Sequence, residues 1–235
     1  MRNIRFVYQD KEMEIINKFT YLGVVFTTGG SFNTTFETLA GQALKAVYKL
    51  DSDLTRFPGI SVSHCLSLFD KLVYPVLSYG CEVWGLHDSI KVERVHLKFC
   101  KHLLGVRTQT QNNFVYGEFG RTPLYTRRVV SVIKYWLKIL HCDSIKYVKV
   151  VYNVMYRDLE RLPNSKSWAK SVRDVLQSLG FYDVWLFQTV GDVDMFICIL
   201  KQRLHDVYVQ NWFSEISNST RANTYVLFAD FKLQP

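Results

Sequence analysis

The chain reads as a mainly α protein: a short N-terminal β-hairpin, then a multi-helix bundle and a helical C-terminal extension. Three observations predict this. β-branched and aromatic residues concentrate in Ile4–Tyr8 and Phe19–Thr27, on either side of the polar stretch QDKEMEIINK, which is the pattern of a hairpin. From Thr34 onward, apolar residues recur every three or four positions, the helical period. A hydrophobic content of 48% in 235 residues is ample for a packed core.

Taken in order, Gly29-Gly30 closes the predicted hairpin, and Ser31 and Asn33 are candidate caps for the helix that follows. Over Thr34–Leu54 the residues Phe36, Leu39, Ala40, Ala43, Val47, Leu50 and Leu54 share one face. RFPGIS breaks this helix at Pro58-Gly59, and the pattern resumes at Ser63, with a kink expected at Pro75. In SIKVERVHLKFCKHLLGV, Val92, Val95, Phe99 and Leu103 line one face, and Lys91, Arg94, Lys98 and Lys101 line the opposite one. Gly105 ends that helix. Gly117, Gly120 and Pro123 mark a compact turn region before a helix that runs to about Cys142. Three more helices are expected at Ile145–Leu159, Trp168–Leu179 and Asp192–Ile216, followed by the apolar, β-prone tail RANTYVLFADFKLQP. LPNSKS at Leu162–Ser167 is a candidate boundary in an otherwise single helical body.

The five cysteines are odd in number and scattered without a C-x-x-C pair, which fits reduced, buried thiols better than a disulfide framework or a zinc site. No apolar run approaches the roughly 18 residues of a membrane span, so the expected protein is intracellular, without a membrane partner. The net charge of +8 is unevenly spread. Between His87 and Arg173, seventeen Lys and Arg face six Asp and Glu; elsewhere the acids prevail. Such a basic middle points to a polyanion-facing surface.

Hydrolytic chemistry is poorly supported: no G-x-S-x-G elbow is present, and the six histidines lack H-x-x-x-H or H-E-x-x-H spacing. FADF at Phe228–Phe231 offers a single carboxylate, Asp230, where two-metal phosphoryl transfer needs several converging on ions about 4 Å apart. No catalytic residue is assigned. The cations hold more promise. Beyond the stripe Lys91/Arg94/Lys98/Lys101, which alone is equally well a solvated helix face, come Arg107, Arg121, Arg127, Arg128, Lys134 and Lys138. Tyr116, Phe119, Tyr125 and Tyr135 are interleaved with them. Backbone-neutralising cations beside aromatics able to stack are what a sequence-tolerant nucleic-acid groove requires.

Read in order, FTYLGVVFTTGGSF, QALKAVYKL, LFDKLVYPVLSYGCEVWG, VERVHLKFCKHLLGV and VYGEFGRTPL with YWLKIL resemble the C-terminal part of non-LTR (LINE-type) retrotransposon reverse transcriptases. The specific resemblance spans about Phe19 to Leu140 and continues more weakly through LKQRLHDVYVQNWFSEI. It implies an end-of-palm hairpin over residues 1–30, a thumb-like helical region over 31–142 and a C-terminal extension over 143–235. In that family F-x-Y-L-G grips the primer's 3′ end, which places Phe19, Tyr21, Leu22 and Gly23 at the primer. Lys91, Arg94, Lys98, Lys101, Arg127 and Arg128 become the expected phosphate contacts. The implied partners are template RNA and an RNA/DNA or DNA duplex. The family's paired aspartates lie upstream of F-x-Y-L-G and are absent here, so no cofactor is expected in this chain; Mg would belong to the missing palm. The chain alone is expected to be inactive as an RNA-directed DNA polymerase. The competing expectations are a truncated remnant with no retained activity, or a helical interaction scaffold whose basic face meets an acidic protein. An exposed apolar patch around Phe6, Phe19, Tyr21 and Val25 is also expected, because the hairpin would lack the palm it packs on.

Overall fold

Two tight turns, each with both central residues at positive φ, organise the N-terminus of the chain. The computed structural model describes residues 5–57, 59–162, 165–219 and Tyr225. In β1 (Phe6–Tyr8) and β2 (Lys11–Met13), Tyr8 pairs with Lys11 across Gln9 (φ 48°) and Asp10 (φ 58°). In β3 (Lys18–Tyr21) and β4 (Val24–Thr27), Tyr21 pairs with Val24 across Leu22 (φ 47°) and Gly23 (φ 83°). The single hairpin expected from the sequence is therefore two successive ones. A two-residue turn with both φ values positive matches the right-handed strand twist, and it takes precedence over a long connection through QDKEMEIINK. Gly29-Gly30 instead ends β4, where the Gly30 amide donates to the Thr27 carbonyl at 3.0 Å. Ile4, Pro58 and the FADF stretch with Asp230 lie outside the described residues.

The described residues form eleven helices, and the protein is mainly α. Helix α1 (Asn33–Leu54) buries Phe36, Leu39, Ala40, Ala43, Val47 and Leu50, the stripe its periodicity predicts. Of the two expected caps, Ser31 Oγ accepts from the Asn33 amide at 3.3 Å, although Phe32, which has no capping side chain, occupies the cap position itself. Thr35, fully buried, fastens β4 to α1 by accepting from the Val25 amide at 2.9 Å and donating to the Val25 carbonyl at 3.1 Å. Val24 closes the joint from the other side, against Gly80, where an added Cβ would stand 2.9 Å from Val24 Cγ2.

Helix α2 (Val62–Leu72) gives way at Val73 to the single turn α3 (Tyr74–Leu77). Pro75 lacks the amide that would continue α2, so the expected kink is a break. The short α4 (Cys81–Trp84) follows, and Trp84 enters the core. Helix α5 (Ile90–Leu103) buries Val92, Val95, His96, Leu97, Phe99 and Cys100. The glycine-marked stretch expected to be a turn contains α6 (Asn112–Phe119). Gly117 lies within this helix, and its missing side chain makes room for Trp212: an added Cβ would lie 2.4 Å from the indole Cζ2.

Helix α7 (Leu124–Leu140) joins two cores. Its first residue, Leu124, closes a cluster containing Phe36, Phe69, Trp84 and Phe99. From Val129 onward it packs with α8 (Tyr147–Arg161), α9 (Trp168–Ser178), α10 (Tyr182–Phe187) and the first half of α11 (Val193–Ser217), around Trp136, Tyr152, Leu176 and Trp185. Each such side chain contributes about 1.5–3 kcal/mol by leaving water. The far end of α11 returns to α6 through Trp212, whose indole N–H donates to the Asn113 carbonyl at 2.7 Å. Cys65, Cys81 and Cys100 are buried as expected, whereas Cys142 is half-buried and Cys198 exposed.

Candidate nucleic-acid interface

Helix α5 turns its charged stripe to the surface because Val92, Val95 and Phe99 occupy the core on the opposite side. Lys91 and Lys98 remain exposed while lying along α1: Lys91 forms an ion pair with Glu37, and Lys98 Nζ donates to Tyr48 Oη at 2.6 Å, 4.7 Å above the ring. The Lys91 hydrogen bond holds the Glu37 carboxyl below its ordinary value. Lys101 is half-buried and donates to the Thr108 carbonyl at 2.8 Å. Partial burial lowers its ammonium pKa. Arg94 is exposed and has no partner among the described residues. Arg94, Lys98, Lys101 and His102 surround one hollow of about 530 Å³, whose far wall is Thr108 and Asn112.

The arginines of α7 behave differently. Arg128 is 1% exposed, its Nη2 standing 3.2 Å from Glu93 Oε1 and its guanidinium 5.6 Å from the centre of the Trp84 ring. Glu93 is already engaged: its carboxylate accepts from the Leu124 amide at 2.9 Å and the Tyr125 amide at 2.8 Å. Pro123, at the cap position, has no side chain able to do this, so a carboxylate from α5 caps α7. Burial pushes the Glu93 carboxyl up, against Arg128 and the two amides. Arg127 directs its fork at Asp70, with contacts of 2.8 and 3.2 Å, and Arg121 binds the same carboxylate. The expectation that Arg128 contacts phosphate is therefore corrected: it is an internal brace. Arg127 is only half-buried but is held by Asp70 and by the Tyr74 ring, 5.2 Å from its guanidinium carbon.

Of the interleaved aromatics, Tyr125 is exposed and lies 5.9 Å from the Arg128 guanidinium carbon, while the other three turn inward. Tyr116 and Phe119 are buried, and Tyr135 packs edge-on against Trp168. The exposed stacking surface lies elsewhere, on β3. Phe19 and Tyr21 point to the same side of the strand at 54% and 58% exposure, their rings stacked with centroids 6.4 Å apart. Leu22 and Gly23 form the adjoining turn, over an apolar recess with Leu39, Pro75 and Tyr79. Phe6, Val7, Tyr8 and Met13 are exposed as well, so the apolar patch extends over both hairpins. Glu37 links this surface to α5, since its carboxyl is influenced by Lys18 at the start of β3 as well as by Lys91.

Sequence reasoning passed over Asp70, Glu93 and His96. A lone carboxylate on an apolar helical stripe was the available signal for the first two, because such a group is buried only with a cation. His96 is buried between the rings of Phe69 and Tyr116, and neither ring nitrogen has a hydrogen-bond partner among the described residues. Burial, reinforced by Arg121 and Arg127, lowers its pKa well below the ordinary value. Ser61 Oγ lies 2.6 Å from His64 Nδ1, but it serves as the cap of α2 and no third group among the described residues orients the imidazole. Among the described residues no group of three His, Cys, Asp or Glu is placed to hold a metal ion, and no helix is long and apolar enough to cross a membrane. The arrangement offers polyanion binding on α5 and stacking on β3. No family model, curated protein or solved structure matches the chain.

Proposed function

We propose that the chain is a nucleic-acid-gripping module corresponding to the primer-grip end of the palm, the thumb and the C-terminal extension of a non-LTR reverse transcriptase. The observation that supports it best is the hollow on α5, which Arg94, Lys98, Lys101 and His102 line together. In this reading these side chains neutralise backbone phosphates, and Phe19 and Tyr21 stack at the primer end. The ordered motifs from FTYLG to YWLKIL supply the rest of the argument. In this reading the chain's part is binding, and Mg would be held by a palm that the exposed faces of β1–β4 pack against. A second reading, a protein-interaction scaffold, draws on the same exposed apolar hairpins.

The test is fluorescence anisotropy with matched RNA/DNA duplex and single strand across a salt series. The expected result is a preference for duplex and steep weakening with salt. Arg94→Glu should reduce the log–log salt slope by about 1. Binding that an acidic polypeptide displaces but RNA does not would replace this reading with the scaffold. No binding to any nucleic acid at low salt would leave a remnant fold without this activity.

A further inference from the structure

A second concave site lies between α7 and α11, apart from the α5 stripe and the β3 aromatics. Its cavity of about 440 Å³ falls in the small-molecule range. Helix α7 presents Thr126 and Val130, four residues apart, with Thr122 one turn before them; α11 presents Lys201 and His205 at the same spacing, with Leu204 between. Tyr74 and Arg127 close the end.

The charge of the cleft is positive, and among the described residues no carboxylate lines it. Asp70, behind Arg127, is shared between Arg127 and Arg121, so the trio keeps one net positive charge. Arg127 gives Asp70 one hydrogen from each terminal nitrogen, which leaves further N–H groups for another acceptor. Lys201 is exposed and has no ion-pair partner among the described residues. Thr126 donates to the Pro123 carbonyl at 2.9 Å, so Thr122 gives its own proton to Thr126 Oγ1 at 2.8 Å, and the donors left for a ligand are Arg127 on α7 and Lys201 on α11. Donors therefore approach from two helices, above the apolar surfaces of Tyr74, Val130 and Leu204. The net positive charge of the Arg121–Asp70–Arg127 trio and that of Lys201 together favour a dianion over a monocarboxylate. A tetrahedral dianion with three terminal oxygens accepts from all sides, and an attached ring would lie on the apolar floor.

We propose that the α7–α11 cleft binds a phosphate monoester on a ring-bearing body, that is, a mononucleotide, either free or as the 5′-phosphorylated end of a strand. The site encloses one terminal group, in contrast to the open α5 stripe. It does not depend on reading α5 as a nucleic-acid surface.

The test is calorimetric titration of the full chain with AMP, adenosine and inorganic phosphate, then displacement of AMP by short strands that differ only in a 5′-phosphate. Saturable AMP binding is expected, with adenosine inert and inorganic phosphate competing. Lys201→Glu, at an exposed position, should weaken AMP binding at least about tenfold, the loss of one charge-assisted hydrogen bond. Arg94→Glu, which removes a cation of α5, should leave it unchanged. Preferential displacement by the phosphorylated strand identifies a strand end as the ligand, and equal displacement by both strands identifies the free nucleotide. Failure of AMP to bind, or equal binding by Lys201→Glu, overturns the proposal, whatever happens to duplex binding on α5.

Discussion

Helices α5 and α7 each carry four Lys or Arg residues, and the two sets meet different surroundings. On α5, Lys91, Arg94 and Lys98 keep their charge at the surface. On α7, Lys134 and Lys138 are exposed, but Arg127 and Arg128 turn toward Asp70 of α2 and Glu93 of α5. What separates them is the presence of a carboxylate on the facing apolar side. A guanidinium enters a core only where an anion already waits, and the planar fork of Arg suits that role better than Lys does. The local cationic excess therefore overstates the charge available at the surface, since part of it holds helices together.

The sharpest way to break this comparison is to remove an internal carboxylate. Asp70→Ala leaves Arg121, 5% exposed, buried without its anion, and should destabilise the fold by about 3–5 kcal/mol in urea unfolding. Arg128→Met should have a cost of the same order, about 3–5 kcal/mol, by leaving Glu93 without its cation. A loss under about 1 kcal/mol in both would place these arginines with the surface charges after all.

Next in size is pH. His96 lies beside Arg121 and Arg127 with its folded pKa well below normal. Above about pH 6.5 it is neutral in both states and contributes no pH dependence. Below that, the unfolded chain binds a proton that the folded chain refuses, so stability falls with falling pH, by up to about 1.4 kcal/mol per unit. The fall continues until the folded pKa is reached. Burial lowers His87 in the same direction, so the contribution of His96 is the difference in slope between the parent and His96→Phe. Equal slopes below pH 6.5 would show that His96 is not sealed.

The smallest stability effects should come from the surface residues, and there binding is the readout. Arg94→Glu and Lys98→Glu should leave the urea midpoint essentially unchanged while each reduces the salt slope of duplex binding by about 1. Tyr21→Ala should also leave stability within about 0.5 kcal/mol, because the ring is already in solvent, yet lose about 1–3 kcal/mol of binding if a base stacks there. Binding that tracks Arg128 rather than Arg94 would reverse the assignment of the two helices.

Most of the helices were legible because their apolar residues repeat every three or four positions over several turns, as in α1, α7 and α9. Local punctuation was less dependable. Leu22-Gly23 is a tight turn although leucine rarely takes positive φ, and the conspicuous Gly29-Gly30 is not the hairpin turn. Glycine misled again at α6, where Gly117 is not a breaker but the flat face on which Trp212 rests. Of the candidate site, the stripe Lys91/Arg94/Lys98/Lys101 could be read from spacing alone, whereas Phe19 and Tyr21 came only from the resemblance carried by FTYLG.

The sequence alone determined the helical class, the faces that would be buried and the placement of a cationic stripe opposite an apolar one, because periodicity is a local property of the chain. Tertiary structure decided which cations remain available. Arg121 and Arg127 meet Asp70 across 51 and 57 residues, and Trp212 reaches Asn113 across 99. Charge neutralisation and close packing act through space, so their outcome depends on pairings that no local window of sequence contains.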